Sequence, residues 1–387
     1  MTDLLNKKDI ILETNITHDE YTKCVLKMYD VPPVDKSTTI VKNNIQTPAT
    51  WNIGLIYGPS GAGKSTLLKT FGEPITYNWT NESLISNFKE VSPSEAIAVL
   101  SAVGFSTPPA WLRPYHVLSN GEKFRADLAK TIVNSKDTVV LDEFTSVVDR
   151  NVAKAVSNAL QKYIRKYNKK VILASCHADI IEWLEPDWVY NPVEGITHSE
   201  RSLWQRPKIQ LKIFRAKYEA WDLFKQYHYL NNNLHKASKL YLFTWKDIPV
   251  AIVCALAFPH AIVKQAWRES RTVVLPDYQG LGIGTKISDY MGSIIRGGGG
   301  RWYSRTTHPA MIAHRLNRPD LWRVTLRGKT SKFGVNSNTG WTWDDRDCIS
   351  FEYIGPSSSK EESELFWNNS MLETEVKTTG LIQTKLF

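Results

Sequence analysis

The chain has 387 residues, a net charge of +9, and 42% hydrophobic and 22% charged residues. A chain of this length exceeds what one hydrophobic core usually organises, so two domains are expected. No run approaches the ~18 consecutive apolar residues of a membrane span, no secretory signal follows Met1, and the four cysteines are too far apart for a disulfide framework or a C-x-x-C zinc site. These features exclude an integral membrane protein and predict a soluble, cytoplasmic protein with no membrane partner.

The positive charge is concentrated in the second half of the chain. Residues 1–200 carry 21 basic and 23 acidic side chains, a net charge of −2, whereas residues 201–387 carry 27 and 16, a net charge of +11. The second half also contains nine of the 14 tryptophans, and Arg301–Lys332 alternates arginine with aromatic and polar residues. A solvated basic face, a nucleic-acid-binding surface and a surface for an acidic protein each explain this pattern.

Three short apolar runs in the first half are typical of buried parallel strands: Ile53–Tyr57, Val139–Leu141 and Val171–Ala174. Helical patterns lie between them at Glu122–Val133 and Asn151–Tyr167. The alternation of strand and helix predicts an α/β sheet covered on both faces.

The sequence Gly58–Thr66 fits the pattern G-x-x-x-x-G-K-[ST] and lies directly after the first of these strands. Main-chain N–H groups of such a turn surround the β-phosphate of a nucleotide. Lys64 is expected to reach the β- and γ-phosphates, and Ser65 to bind Mg²⁺ through its hydroxyl. The predicted ATP-binding residues are Gly58, Ser60, Gly61, Ala62, Gly63, Lys64, Ser65 and Thr66.

A second element, Thr138–Glu143, is a buried strand that ends in two carboxylates. Asp142 is expected beside the metal, and Glu143 can act as the general base for the attacking water. Taken alone, an apolar run that ends in Asp-Glu is equally explained as a simple strand terminus.

These motifs, together with Leu118–Glu122, resemble those of ABC ATPases, because Leu-Ser-Asn-Gly-Glu is similar to the family signature L-S-G-G-Q. Glu143–Asp149 is similar to the catalytic glutamate and the D-loop, and His177 matches the switch histidine. The resemblance covers roughly residues 20–200. It implies a P-loop ATPase fold, a catalytic role for Glu143 and His177, and ATP and Mg²⁺ as ligands.

The resemblance also implies a head-to-tail homodimer in which Ser119, Gly121 and Glu122 complete the ATP site of the other protomer. Two departures stand out. Lys64 and Ser119 are 55 positions apart, which predicts a trimmed helical subdomain and argues against transport. No glutamine lies between Thr66 and Ser119, so the family's Q-loop residue has no counterpart.

The second half predicts an α+β core. Its elements are a strand Ile209–Phe214, a helix Tyr218–Leu230, a hairpin of Leu240–Trp245 and Val250–Ala257, a strand that ends at Leu275, a helix Thr285–Ile295 and a strand Trp302–Thr306. The predicted domains are an ATPase domain at residues 1–200, an α+β domain at residues 205–354 and a peripheral tail at residues 355–387.

The segment Arg271–Gly284 contains a strand, a glycine-rich turn and the start of a helix, which again suits a pyrophosphate. It resembles GNAT acetyltransferases, whose [R/Q]-x-x-G-x-[G/A] loop binds CoA. That resemblance implies acetyl-CoA or another acyl-CoA as a ligand of Val273, Val274, Gln279, Gly280, Leu281, Gly282, Ile283, Gly284 and Thr285. A Rossmann turn is the competing interpretation, but no acidic residue follows on a second strand.

Three places in the second half are candidates for acyl-transfer chemistry. Glu269 precedes the CoA loop, where many members of this family have a general base, although it could instead pair with Arg268 or Arg271. His228 and Tyr229 end the predicted first helix, and a structural role is as plausible. The GNAT fold implies that His308, after the last strand, faces the cleft.

The sequence therefore predicts an ATP-dependent enzyme that acylates a base amine of DNA or RNA. The pair of His228 and Tyr229, and the fusion itself, faintly resemble phage Mom-type DNA-modification proteins. Arg315, Arg318, Arg323 and Arg327 are expected to contact phosphates. The alternatives are a nucleic-acid-associated ATPase whose second domain only binds, and acylation of a small amine or a protein.

Overall fold

The structure is a computed structural model that describes residues 8–29, 31–135, 137–199, 201, 204, 206–228, 233–259, 263, 265–329, 347–368 and 382–385. Within these ranges no helix is both long and apolar enough to cross a bilayer. The strands are β1 (Ile10–Asn15), β2 (Lys36–Val41), β3 (Ile53–Tyr57), β4 (Thr138–Leu141), β5 (Lys170–Ser175), β6 (Trp188–Asn191), β7 (Ile196–His198), β8 (Gln210–Ala216), β9 (Lys239–Trp245), β10 (Ile248–Ala257), β11 (Ala266–Val274), β12 (Arg301–Thr306), β13 (Trp322–Lys329), β14 (Asp347–Tyr353) and β15 (Ile382–Lys385).

The helices separate these strands in both halves of the chain. They are α1 (Glu20–Met28), α2 (Lys64–Leu68), α3 (Pro93–Ala102), α4 (Pro108–Trp111), α5 (Asn120–Asn134), α6 (Arg150–Lys166), α7 (Ile181–Leu184), α8 (Ile283–Gly297), α9 (Pro309–Leu316) and α10 (Lys360–Asn368). The predicted helices of the first half are confirmed as α5 and α6, and the predicted hairpin of the second half as β9 and β10.

The chain forms two compact units. The first comprises Met1–Asn78, Asn134–Asp149 and Leu160–Arg206, and the second comprises Trp79–Val133, Arg150–Ala159 and Pro207–Phe387. Helices α3 and α4 and most of α5 therefore belong to the same compact unit as the C-terminal strands. The division at about residue 200, drawn from sequence pattern, stays a prediction about domains.

The first unit is built on a sheet with strand order β4-β5-β3-β6-β7. Strands β4, β5, β3 and β6 run parallel, as predicted for the first three, and β7 joins antiparallel. The indole of Trp188 lies across Gly54 of β3, where a Cβ atom would collide with it. Since parallel strands end at one edge of the sheet, the segments after β3, β4 and β5 meet there.

The second unit contains a sheet with strand order β13-β14-β12-β11-β10-β9-β8-β15. Strands β11 and β12 pair in parallel from Ala266 and Arg301 to Glu269 and Ser304. Beyond this ladder β11 continues against β10, and β12 continues against β14. The two central strands thus diverge towards their carboxyl ends, which leaves a cleft between them.

Helix α8 covers the sheet beside this divergence. Its residues Ile287, Met291 and Ile294 are fully buried, and each such apolar side chain contributes about 1.5–3 kcal/mol by leaving water. Helix α10, in the predicted peripheral tail, packs against α8. Ser363 donates a hydrogen bond to the carbonyl of Ile294 at 2.8 Å.

One predicted helix is wrong in type. The segment Tyr218–Leu230 forms two short 3₁₀ turns, Tyr218–Leu223 and Lys225–Tyr227, and its last two residues lie outside the described ranges. Trp221 and Phe224 are both buried. Their spacing of three residues suits the 3₁₀ geometry, in which side chains at i and i+3 lie on one side.

Candidate functional site

The turn after β3 has the backbone that a phosphate cradle needs. Gly61 and Gly63 take left-handed φ values of +78° and +81°, and α2 begins immediately afterwards at Lys64. A Cβ atom on Gly63 would lie 2.5 Å from the side chain of Val41, so space as well as conformation requires glycine there. The Lys64 amine donates to the Pro59 carbonyl at 2.7 Å and therefore lies over the turn.

The segments after β4 and β5 are tied to each other by buried hydrogen bonds. The Phe144 N–H donates to the Ala174 carbonyl at 2.8 Å, and the Ser175 hydroxyl donates to the Phe144 carbonyl at 2.9 Å. Thr145 Oγ1 lies 3.3 Å from His177 Nδ1. These bonds hold His177 close to the segment that carries Glu143.

The backbone around the two carboxylates is strained. Glu143 and Thr145 have left-handed φ values of +47° and +71°, a conformation that costs non-glycine residues about 1–3 kcal/mol each and is concentrated at functional sites. The Asp142 carboxylate accepts from the Glu143 N–H at 2.8 Å, and Glu143 itself is exposed. Glu143 is therefore both strained in its backbone and open to solvent at the sheet edge, and its role as a general base stays a prediction.

The predicted signature segment begins α5 with a reciprocal cap. The Ser119 N–H donates to Glu122 Oε2 at 2.9 Å, and the Glu122 N–H donates to Ser119 Oγ at 3.3 Å. This capping box gives Glu122 a structural role that a glutamine could also fill. Ser119 is exposed at the helix start, next to Gly121. The segment belongs to the second unit.

A cavity of about 260 Å³ lies in the cleft where β11 and β12 diverge. The predicted residues Glu269, His228, His308, Val273, Val274, Gln279, Gly280, Gly282, Ile283, Gly284 and Thr285 all line it. Leu281 is fully buried, and Tyr229 lies outside the described residues. The folded chain thus brings most of the predicted acyl-transfer residues to one cavity.

The start of α8 forms one wall of this cavity. Gly282 precedes the helix with a φ of +81°, and the Thr285 hydroxyl donates to the Gly282 carbonyl at 3.0 Å. A Cβ atom on Gly284 would lie 3.3 Å from the Val274 side chain. The first turn of a 15-residue helix therefore lies at the cavity wall, and the unbonded main-chain N–H groups of a helix start suit an anion.

Gln279, which the GNAT resemblance implies as a pyrophosphate ligand, uses its side chain to hold the turn. Its Oε1 accepts from the Ser106 N–H at 2.8 Å, and its Nε2 donates to the Val274 carbonyl at 3.1 Å. Sequence reasoning missed this role because Ser106 is 173 positions away. A contact of Gln279 with phosphate stays a prediction.

Glu269 is the acidic centre of the cavity wall. Its carboxylate accepts from Arg315 at 2.6 Å and from the Ser288 hydroxyl at 3.2 Å, and it also contacts the Thr272 hydroxyl. Its ion-pair partner is therefore Arg315 and neither of the neighbouring arginines 268 and 271. Such a buried pair is retained only with good geometry and further hydrogen bonds.

The expectation that Arg315 contacts a nucleic-acid phosphate is wrong. Its side chain is 1% exposed, donates to the Ser304 hydroxyl at 2.7 Å and lies 4.3 Å from the centre of the Trp322 ring. The basic pattern from 301 to 332 did not reveal this burial because the partner Glu269 is 46 positions away. Arg318 and Arg323 are at the surface, where they pair with Asp320 and Glu352.

Two histidines in the cavity wall, buried His228 and half-buried His308, are held in the uncharged form. Burial, the charge of Arg271 and that of His308 lower the pKa of His228 to about 3. Burial and the charge of Arg315 also lower the pKa of His308. Both imidazoles are neutral at pH 7, and a neutral imidazole has one nitrogen that can accept a proton.

No protein-family model matches the chain. The ribosome protection protein VmlR of Bacillus subtilis (strain 168) is 29% identical over 177 residues, which are 43% of this chain and 28% of VmlR. The lipoprotein-releasing system ATP-binding protein LolD of Ehrlichia ruminantium (strain Gardel) is 32% identical over 92 residues, which are 24% of this chain and 40% of LolD. The chain thus spans less than half the length of these relatives.

A solved ATP-binding cassette, MJ0796, is a dimer bound to ADP and phosphate in a post-hydrolysis state. It is 14% identical, and the match covers 43% of this chain and 90% of that one with a TM-score of 0.32. The sequence similarities to VmlR and LolD, together with the P-loop, the Asp142–Glu143 pair and the signature segment, support an ABC-type ATPase domain over about half of the chain.

Proposed function

We propose that this chain hydrolyses ATP as a homodimer and that its second unit transfers an acyl group from a CoA thioester to a base amine of DNA or RNA. The observation that carries the acyl-transfer part is the cavity between β11 and β12, where the start of α8 and two neutral histidines face one space. The ATPase part rests on the P-loop and carboxylate geometry and on the similarity to ABC proteins.

ATP hydrolysis is assigned to the edge of the first sheet. The main chain of residues 58–66 and the Lys64 amine bind the phosphates, and Ser65 and Asp142 would hold Mg²⁺, which offsets phosphate charge. Glu143 accepts a proton from water as its oxygen attacks the γ-phosphorus, and the bond to the leaving ADP oxygen breaks. His177, held near Thr145, would contact the γ-phosphate.

The dimer follows from the exposed signature. Ser119 and Gly121 begin α5 in the second unit, and the ABC resemblance implies that they contact the γ-phosphate held by the P-loop of the other protomer. The capping box between Ser119 and Glu122 presents the helix N-terminus in a defined orientation. ATP would thus join the two protomers, and hydrolysis would loosen them.

The second unit has features that support a GNAT-like fold. Its central parallel strands diverge, and the glycine-rich turn after β11 leads into a long helix whose first turn faces the cleft. The residues from Gly282 to Thr285 offer main-chain donors for a pyrophosphate without a lysine. We infer that an acyl-CoA lies with its pyrophosphate against α8 and its thioester between β11 and β12.

In the transfer step the acceptor nitrogen attacks the thioester carbonyl carbon and the C–S bond breaks. The sulfur leaves as a thiolate that takes up a proton, and the acceptor nitrogen loses one to a neutral imidazole. His308 is the base that the cavity offers, because a pKa of about 3 makes the buried His228 imidazole hard to protonate, and the Glu269 carboxylate is engaged by Arg315.

The charge of the cavity favours an uncharged acceptor. Arg271 and Arg305 lie in its wall, and the charge of Arg315 there is balanced by Glu269. An alkylammonium ion would therefore meet like charge and would first have to lose a proton. The exocyclic amine of a nucleobase is uncharged at neutral pH. This difference supports a base amine over a small alkylamine or a lysine side chain.

One observation favours the alternative in which the second unit only binds nucleic acid. Glu269, the one carboxylate in the cavity wall as described, is neutralised by an ion pair and is a weak candidate for a base. VmlR, which is similar to part of this chain, is named as a ribosome protection protein. A partner that contains nucleic acid would therefore suit this chain under the binding-only alternative.

Nucleoside mass spectrometry separates these functions. Duplex DNA, single-stranded DNA and RNA are each incubated with the protein, ATP and isotopically labelled acetyl-CoA, then digested to nucleosides. We expect an acetylated nucleoside that carries the label and that is absent with the Gly282→Val variant. Binding of nucleic acid without any labelled nucleoside would support the binding-only alternative.

A further inference from the structure

The turn Pro276–Gly280, which leads into the glycine-rich wall of the cavity, is held by three separate parts of the second unit. Tyr278, Gln279 and Gly280 themselves line the cavity. The three parts are α5, α6 and the segment between α3 and α4. Of these, α5 begins within the signature segment and α6 begins directly after the predicted D-loop.

The first contact comes from α5. Arg125 is 2% exposed, and its Nη2 donates to the Pro276 carbonyl at 2.7 Å. Arg125 lies four residues, about one helical turn, after Gly121 of the signature. A displacement of the signature end of α5 therefore moves the group that holds Pro276.

The second contact comes from α6, which begins directly after Asp149 of the predicted D-loop. Asn158 is fully buried and donates from Nδ2 to the Gly280 carbonyl at 2.7 Å. A Cβ atom on Gly280 would lie 2.9 Å from the Ala159 Cβ and 3.1 Å from the Ala155 carbonyl. The backbone of the turn is therefore tightly packed against α6.

The third contact comes from the segment after α3. The Ser106 N–H donates to Gln279 Oε1 at 2.8 Å, and a Cβ atom on Gly104 would lie 2.7 Å from the Gln279 carbonyl oxygen. Gly104 has a φ of +82°, so it suits glycine by conformation as well as by space. The backbone at Gly104 thus packs directly on the backbone at Gln279. Because close-packed interiors transmit small displacements, a shift of one segment is expected to move the other.

We propose that ATP binding in the dimer regulates the cavity through this turn. The inference rests on the proposed function, because it uses the head-to-tail dimer and the acyl-CoA site. When the signature binds the γ-phosphate of the other protomer, α5 is restrained; after hydrolysis it is released. Because a buried donor left without its acceptor is costly, Arg125 and Asn158 keep their hydrogen bonds to the turn when their helices move.

The coupling has a thermodynamic consequence that binding experiments can measure. If ATP changes the affinity for acyl-CoA by a certain factor, acyl-CoA changes the affinity for ATP by the same factor. The Glu143→Gln variant is the suitable background, because it is expected to keep ATP bound without turnover. Coupling factors between sites are typically about 5–150-fold.

The direct test is hydrogen–deuterium exchange of peptides that cover residues 277–284 in Glu143→Gln protein, with and without ATP. We expect ATP to slow exchange in this segment at least about fivefold. Adding Arg125→Lys or Asn158→Ala should reduce the ATP effect to less than about twofold while ATP affinity is kept. Lys162→Ala, on the exposed face of α6 beyond Asn158, is the matched control and should leave the effect unchanged.

The outcomes separate the regulation from the activity. Equal exchange in residues 277–284 with and without ATP would overturn the coupling, even if acetyl-CoA binds. An ATP effect on the turn without any heat of acetyl-CoA binding would support the coupling and remove the acyl-transfer function. If Asn158→Ala fails to fold, Asn158→Ser is used with the same expectation. If every folded variant at Arg125 and Asn158 keeps the full ATP effect, the hydrogen bonds of these two residues to the turn do not carry the coupling.

Discussion

Two turns in this molecule end in a glycine with nearly the same φ and ψ angles but continue with different side chains. Gly63 and Gly282 each precede a helix with φ of +81° and ψ of 15° and 13°, respectively. Each follows a strand at the carboxyl edge of a sheet. After Gly63 the chain continues with lysine and serine, whereas after Gly282 it continues with isoleucine and glycine.

The difference shows what the side chains add to a common anion-binding backbone. In the proposed function, the first turn supplies an ammonium group and a metal ligand, which chemistry at a γ-phosphate requires. The second supplies main-chain donors alone, which are sufficient to hold a pyrophosphate that does not react. Reaction at the second turn would then take place away from the phosphates, at the histidines of the cavity wall.

The largest effect is expected at the first turn's carboxylate. Glu143→Gln should lower the rate of ATP hydrolysis by about 10²–10⁴-fold, because the general base is lost while the phosphate and metal contacts remain. ATP binding should persist and a dimer should accumulate, as measured by size-exclusion chromatography with light scattering. Glu182→Gln, on the exposed side of α7, is the control. Turnover equal to that of the parent would remove Glu143 from the mechanism.

The second turn is tested by a side chain at its last glycine. Gly282→Val should weaken acetyl-CoA binding by at least about tenfold, because a left-handed φ disfavours a β-branched residue and the side chain blocks the close approach of an anion. ATP hydrolysis should be unchanged. Gly299→Val is the matched control: Gly299 has a φ of +78° with nothing within 4 Å of an added Cβ atom, so it carries the same strain away from the cavity. If calorimetry detects no acetyl-CoA binding to the parent protein, the second turn does not hold the pyrophosphate of acetyl-CoA, and the comparison of the two turns as anion sites is wrong.

The sequence predicted the first turn more fully than the second. A P-loop is local, since its lysine, serine and glycines are consecutive, and the strands that position Asp142 and His177 follow from apolar periodicity. The second site depends on partners that are far apart in sequence. Arg315 with Glu269, Ser106 with Gln279, and Asn158 with Gly280 come together only in the folded chain, and no local pattern encodes them.

The neutral histidines beside the second turn predict a dependence of stability on pH. The pKa of His228 is lowered to about 3 in the folded chain, below its ordinary value of about 6.5. Between these values the unfolded chain binds a proton that the folded chain does not, so the free energy of unfolding rises with pH and falls as pH decreases from 6.5 towards 3. For this residue the free energy of unfolding changes by up to ~1.4 kcal/mol per pH unit.

His228→Phe should flatten this pH dependence in chemical denaturation series from pH 4 to 7. His198→Phe, at an exposed position in β7, is the control and should leave it unchanged. An unchanged pH dependence in the His228 variant would contradict its burial as a neutral group.

The smallest expected effect concerns the basic surface that would bring a polyanion to the second turn. With Arg315 buried, we choose half-exposed Arg318 and exposed Arg327 as the arginines of this stretch to neutralise. Arg318 pairs with exposed Asp320 at 2.7 Å, and such surface pairs contribute only about 0–1 kcal/mol, so a phosphate can replace the carboxylate. Replacing both arginines by glutamine should weaken binding to all sequences alike and flatten the log–log salt slope by about one to two units, since each phosphate contact releases about one counterion. Filter binding to duplex and single strands at several salt concentrations measures the slope, and Lys162→Gln, outside this stretch, is the control.

A change in sequence preference at constant slope would indicate contacts to bases. An unaltered slope with unaltered affinity would exclude this face as the nucleic-acid surface. The acceptor would then have to reach the cavity by another route.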